Sequence, residues 1–250
     1  MLNKNIIINA GDFGLSNAVN YGIIDSFKNG VVTSTEIICT TPGFDHAVNL
    51  ALENPTLDIG VHFSLTLGEP ICKDFKHILA PTGTMKQDYE YLATIPVNVI
   101  KAELDAQLKK ILSSGIKPSH ITFHHTPCII PEILNLASQI SFKTGMVLRA
   151  YAEREIKSKF LKKYIYKNSF DIDFFRDKIE TVNDFKRVFK ENTHKNNIEI
   201  NCQPGYIDSF LLKSSSYTFG RLNELNILCS NEIKEIISIN GYKLLNYREY

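Results

Sequence analysis

What the 250-residue chain lacks narrows its class before any motif is read. It has no excess of charge: 28 basic against 27 acidic residues leave a formal net charge of +1. That excludes a broad positive field for a phosphate backbone, so nucleic acid is not an expected partner. No apolar run approaches the roughly eighteen residues of a membrane span, so no membrane partner is expected. The apolar stretch Ile6-Ile7-Ile8 is too short for a signal peptide and reads as a first strand. The five cysteines, Cys39, Cys72, Cys128, Cys202 and Cys229, are odd in number and far apart, with no C-x-x-C. A disulfide framework or structural zinc knuckle is therefore excluded, and reduced thiols in a cytoplasmic protein are expected. No G-x-G-x-x-G follows a strand and no G-x-x-x-x-G-K-[ST] occurs, which removes the phosphate-loop classes. Repeats, low-complexity tracts and linkers are absent too.

What is present reads as an α/β protein. Apolar residues make up 44% and charged residues 22%, ordinary for a globular chain able to bury its own core. After Ile6 to Ile8, Asn9-Ala10-Gly11-Asp12 breaks the strand, and Ser16 or Asn17 caps a helix through Lys28. Val31 to Cys39 is β-rich. Pro42 opens a helix over about 44–53, ended by Asn54-Pro55. Leu57 to Leu65 is a third strand. This β-α-β-α-β spacing predicts parallel strands with helical crossovers. Residues 66–97 carry Pro70, Pro81, Gly83 and Pro96 and read as a lid loop. A strong amphipathic helix over 97–114 follows, then a strand over 120–124, a helix over 131–142 and a strand over 146–150. Residues 151–180, rich in Lys, Tyr and Phe, read as an insertion, either a solvated segment or an aromatic, basic wall over a cleft. A helix over 182–192, a strand over 198–202, one long helix over 217–238 and a strand over 242–245 complete the chain. The expected fold is a single domain over 1–250, a distorted (β/α) barrel with about seven mostly parallel strands.

In such folds ligands bind at the carboxyl ends of the strands. Those ends carry Gly11-Asp12, Gly60-Val61-His62, His124-His125 and Cys202-Gln203. Singly, each residue has a plainer role: Asp12 as a helix cap, His62 as a core histidine. Of His124 and His125, only one is expected to face the site, because adjacent strand residues face opposite ways. Together, one carboxylate and two neutral imidazoles on separate strand ends make an open site for a divalent ion.

The motifs resemble those of the YdjC/ChbG family of carbohydrate deacetylases. Its N-A-D-D-F-G-L-S appears as Asn9-Ala10-Gly11-Asp12-Phe13-Gly14-Leu15-Ser16. Its G-x-H-x-x-L-T-x-G-x-P runs from Gly60 to Pro70. Its H-[IL]-D-S-H-x-H appears as His120-Ile121-Thr122-Phe123-His124-His125-Thr126, and its C-H-P-[GA]-[FY]-I-D runs from Cys202 to Asp208. Arg149 and Arg221-Leu222-Asn223-Glu224-Leu225 fit as well. The resemblance implies a distorted barrel and one divalent metal ion, Zn²⁺ or Mg²⁺, on Asp12, His62 and His124. It implies hydrolysis of N-acetyl groups on amino sugars such as chitooligosaccharides, with Arg149 and Tyr206 as substrate-binding residues. The partner implied is a small acetylated amino sugar; a homo-oligomer is left open.

The same resemblance places the general base at position 11, here Gly11, and the general acid at position 203, here Gln203. The Asp and third His of the H-[IL]-D-S-H-x-H motif are Thr122 and Thr126. Glu36 is the candidate replacement base, if its strand parity turns it inward. Against that role stand pairing with a buried Lys or Arg and a depth that limits its reach. His125 is a second candidate, limited by its facing, and Asp208 reads as a turn-former. Three functions are therefore carried forward. One is an impaired metal-dependent deacetylase. Another is an inactive relative that binds metal and an acetylated sugar or a protein partner. The third is a metallohydrolase whose pocket Gly11 enlarges for another substrate.

Overall fold

Ser16 accepts a hydrogen bond from the Val19 N–H, and that cap separates the first strand from the first helix. The computed structural model describes residues 4–79, 84–125, 127–149, 171–173, 181–192 and 194–249. In chain order the first half is β1 (Lys4–Phe13), α1 (Asn17–Lys28), β2 (Ser34–Ile37), α2 (Phe44–Glu53) and β3 (Asp58–Phe63). It continues with α3 (Lys73–Ile78), α4 (Tyr89–Thr94), α5 (Val97–Ser113) and β4 (His120–Phe123). The second half is α6 (Pro131–Thr144), β5 (Val147–Leu148), β6 (Asp171–Asp173), α7 (Val182–Asn192) and β7 (Asn197–Cys202). It closes with α8 (Ser209–Ser214), α9 (Phe219–Leu228), α10 (Asn231–Ile239) and β8 (Tyr242–Leu244).

The strands lie in the order β5-β4-β3-β2-β1-β7-β6, and all the pairings are parallel. These seven strands meet the expectation, and β8 adds an eighth beside β1. Lys4 to Ile6 pair with β8, whereas Asn9 to Phe13 pair with β2, so one edge of β1 serves two strands in succession. The sheet curls on itself. Arg149, just past β5, reaches Glu199 on β7 at 2.7 Å, although four strands stand between them in the sheet order. The result is an α/β fold built as a distorted, open barrel.

Strand alternation gives the sheet two unlike faces. Ile6, Ile8, Ala10, Val61 and Ile121 join the buried apolar cluster under the helices. The opposite face carries Asn9, Glu36, His62, His120, Thr122 and Glu199, all buried and polar. A small second cluster of Ile7, Leu245 and Tyr247 plugs the base of the barrel. There the Tyr247 ring stacks on His120, centroids 3.8 Å apart. Gly60 makes that possible: a Cβ on it would lie 2.4 Å from the His120 ring.

Several expectations are corrected. β1 does not break at Asn9 but continues to Phe13. The long helix expected over 217–238 is two, because Ser230 leaves the helical conformation and caps α10 by accepting from the Ile233 N–H. The short helix α8 was not foreseen; Asp208 caps it, which is the turn-forming role read from the sequence. The segment 66–97 contains α3 and α4 rather than being irregular throughout. The insertion 151–180 lies outside the described residues except for β6. Among the described residues no helix is long and apolar enough to cross a membrane. The five cysteines are all free.

Candidate functional site

The site begins with an irregularity in β1. Ala10 lies opposite Thr35, but Phe13 lies opposite Ile37, so β1 carries one residue more than β2 over the interval. Asp12 absorbs this bulge with a left-handed backbone, φ 73°. Alternation alone would send Gly11 and Asp12 to opposite faces. The bulge brings both onto a cavity of about 470 Å³ at the carboxyl ends of the strands.

Asp12 is fully buried. Its Oδ2 accepts from Arg221 Nη2 at 2.6 Å and from the Gln203 side-chain amide at 3.2 Å. Its Oδ1 has no hydrogen-bond partner and faces His62 Nε2 at 3.5 Å and His124 Nε2 at 3.8 Å. Burial pushes the Asp12 carboxyl up, but Arg221 and the two imidazoles outweigh it and hold the group well below the usual range. Burial takes His124 down to about 3 against the pull of Asp12, so its ring is neutral at ordinary pH. The far nitrogen of His62, Nδ1, meets Thr122 Oγ1 at 2.6 Å and Glu36 Oε1 at 3.5 Å. The His62 and His124 rings stand nearly perpendicular, 5.7 Å between centroids.

This donor set fits a divalent ion. A buried anionic oxygen without a partner, two imidazole nitrogens turned toward it and an outer hydroxyl orienting one ring are what such a centre needs. As the side chains stand, however, no three His, Cys, Asp or Glu groups among the described residues are placed so that they could hold an ion together. The groups face one another across an open gap.

Glu36 is turned inward and lines the cavity, 1% exposed. A Cβ on Gly11 would lie 3.6 Å from Glu36 Oε1, so this carboxylate stands in the space beside the glycine. It is also paired: Arg149 Nη1 lies at 3.7 Å, His120 Nε2 at 3.9 Å, and Asn9 Nδ2 donates to it. Burial raises its pKa, but Arg149, His120 and His62 outweigh that and bring it to about 2. Glu36 sits opposite Gly60 in the ladder, two residues short of His62 along the barrel axis. Arg149 lines the cavity and braces Glu199. Tyr206 does not join the site: it is 41% exposed and its hydroxyl donates to Asp25 at 2.7 Å. Thr126 lies outside the described residues.

Three further residues line the cavity: His125, expected only as a second candidate base, and Arg221 and Glu224, expected only as part of a motif. His125 lines the cavity beside His124 because the strand ends at Phe123 and His125 turns back with φ 58°. Alternation therefore no longer applies to the pair. Arg221 anchors Asp12, and Glu224, one turn further along α9, also faces the cavity. Glu224 accepts from the Gln203 backbone N–H and from the Tyr217 hydroxyl. Burial raises it to about 7 despite those bonds. Leu67, Met85, Lys86, Gln87 and Tyr89 form the wall contributed by 66–97, and Ser214 to Ser216 form part of another.

The open parallel α/β barrel thus gathers acidic, imidazole and guanidinium groups at the carboxyl ends of its strands. A mutant of a CE4-family pseudoenzyme shares this fold, with a TM-score of 0.50 at 12% identity, covering 99% of this chain and 67% of that one. The chain belongs to the YdjC-like protein family, whose model matches residues 5–238. It is 34% identical over 249 residues to a carbohydrate deacetylase of Clostridium beijerinckii, covering 98% of this chain and 99% of that one. It also superposes on an Enterococcus faecalis V583 protein named as a candidate for cellobiose-phosphate cleavage. There the TM-score is 0.85 at 32% identity, covering 99% of this chain and 98% of that one.

Proposed function

We propose that this protein is a metal-dependent hydrolase that removes N-acetyl groups from amino sugars such as chitooligosaccharides, at a reduced rate. The observation that carries this reading is Asp12 Oδ1, buried, without a hydrogen-bond partner and faced by two imidazoles, in a carbohydrate-deacetylase relative. A Zn²⁺ or Mg²⁺ ion on Asp12, His62 and His124 would polarise the acetyl carbonyl and acidify water. Arg221 fixes the far oxygen of Asp12, and Thr122 with Glu36 orients His62. The 470 Å³ cavity is of a size suited to a small sugar. Glu36 is the proposed acceptor of the proton from the attacking water, because its carboxylate stands beside Gly11. Its ion pair with Arg149 keeps it charged but makes it a weak base, which limits the rate.

A second reading, an inactive metal- and sugar-binding relative, is favoured by Gln203. An amide gives up no proton at neutral pH, and this one is engaged with Asp12. Acetate release from N,N′-diacetylchitobiose, with Zn²⁺, Mg²⁺, Co²⁺ or Ni²⁺ added, separates the two. Slow, chelator-sensitive release supports the hydrolase. Binding of ion and sugar by calorimetry without release supports the second reading.

A further inference from the structure

Amide hydrolysis needs a proton on the departing nitrogen, and Gln203 has none to give. Asp12 and Glu36 are held ionised by their arginines, and His124 is held neutral by burial. One carboxyl on the cavity differs. Resting on the deacetylase reading above, we propose that Glu224 is the proton donor to the leaving amine, working beside position 203 in place of a histidine. It lines the same cavity as Asp12 and His124 while only 1% exposed. Its carboxylate accepts from the backbone N–H of residue 203, so it stands beside the residue to which the resemblance assigns the acid. Arg221, three residues earlier on the same helix face, holds Asp12, so α9 brings both groups to one centre.

The groups facing Glu224 are few. Tyr217 and Arg221 come from its own segment, Asp12 from β1 and Cys202 from β7. On α1, which packs against α9, Asp25 is engaged by Tyr206. Arg221 is turned to Asp12 at 2.6 Å, so Glu224 is buried without a full counter-ion of its own. That is why burial prevails and the carboxyl is half protonated near pH 7. Burial and the neighbouring carboxylate push the Tyr217 hydroxyl up, so it keeps its proton throughout.

In the reaction, the water oxygen bonds to the acetyl carbon and one water proton passes to Glu36. The C–N bond breaks with its electron pair on nitrogen, and nitrogen takes the Glu224 proton. Acetic acid and the free amine leave, and the Glu36 proton returns through solvent to Glu224.

The test compares two substrates in wild type and Glu224→Gln: N,N′-diacetylchitobiose, whose amine needs a proton, and 4-nitrophenyl acetate, whose phenolate leaves without one. The expected result is a kcat lower by about 10²–10⁴-fold on the sugar with the aryl ester nearly unchanged. The fall in wild-type sugar turnover above about pH 7 disappears with the substitution and is kept in Glu224→Asp. Adding Gln203→His to Glu224→Gln restores sugar turnover. Equal loss on both substrates makes Glu224 structural and overturns the proposal, as does no loss on either. A wild type that cleaves the aryl ester but no acetylated amino sugar overturns the deacetylase reading, and this proposal with it.

Discussion

The rim and the floor of the barrel are made of the same kinds of residue, yet they differ in what is left over. At the rim, Arg221 takes one oxygen of Asp12, and the other faces two imidazoles. At the floor, Arg149 lies between Glu36 and Glu199, Tyr247 donates to Glu199, and Asn9 donates to Glu36. Glu199 Oε2 is also without a hydrogen-bond partner, so an unpartnered oxygen alone does not mark a ligand. What marks the rim is the convergence of two imidazole nitrogens, one from β3 and one from just past β4, on one anionic atom. Buried charge at the floor braces the barrel, even where Glu36 also reaches the cavity; at the rim one anionic oxygen is left unbraced.

Asp12→Asn strikes that difference hardest. Ion affinity, read by calorimetry, and acetate release should both fall by more than the ~100-fold typical of losing an outer partner. If neither changes, the rim is not the centre. Arg149→Met probes the floor instead. It strands two buried carboxylates, and urea unfolding should show a loss of about 3–5 kcal/mol. An unchanged midpoint would mean the brace is dispensable. Thr122→Val lies between rim and floor. Freed of its hydroxyl partner, His62 should bind the ion about 10- to 100-fold more weakly while the fold stays intact by circular dichroism.

The pH dependence of the metal-free protein follows from His124. Its native ring stays neutral down to about 3, while the unfolded ring takes a proton near 6.5. The unfolded state therefore binds more protons between those values, and stability falls as pH drops through that window. His124→Asn should flatten the fall, as followed by thermal melts from pH 7 to pH 4. The smallest effect is expected of Tyr206→Phe. It removes an exposed hydrogen bond to Asp25 outside the cavity, so stability should shift by less than about 0.5 kcal/mol and KM should not move. A raised KM would return Tyr206 to the site.

Much of this arrangement is legible in the sequence because it is local. Periodicity and caps place α1, α2, α5 and α7 within a residue or so, and the strand ends single out Asp12, His62 and His124 as neighbours. The rest depends on contacts distant in sequence. The inward turn of His125 follows from where β4 stops pairing, and the break at Ser230 from a cap inside an otherwise continuous apolar pattern. Strand parity correctly turns Glu36 inward, but only the curl of the sheet shows Arg149 waiting for it. Glu224 is visible as part of a motif; its burial beside residue 203 is not.

The extra residue in β1 acts as a phase shift. Before it the odd-numbered side chains face the interior; after it the even-numbered Asp12 does. Deleting Gly11 would therefore let β1 and β2 run in step without interruption and leave the aspartate at the inward-facing position that the glycine now holds. The bulge thus gives the rim two successive inward positions, 11 and 12, where a regular strand would offer one.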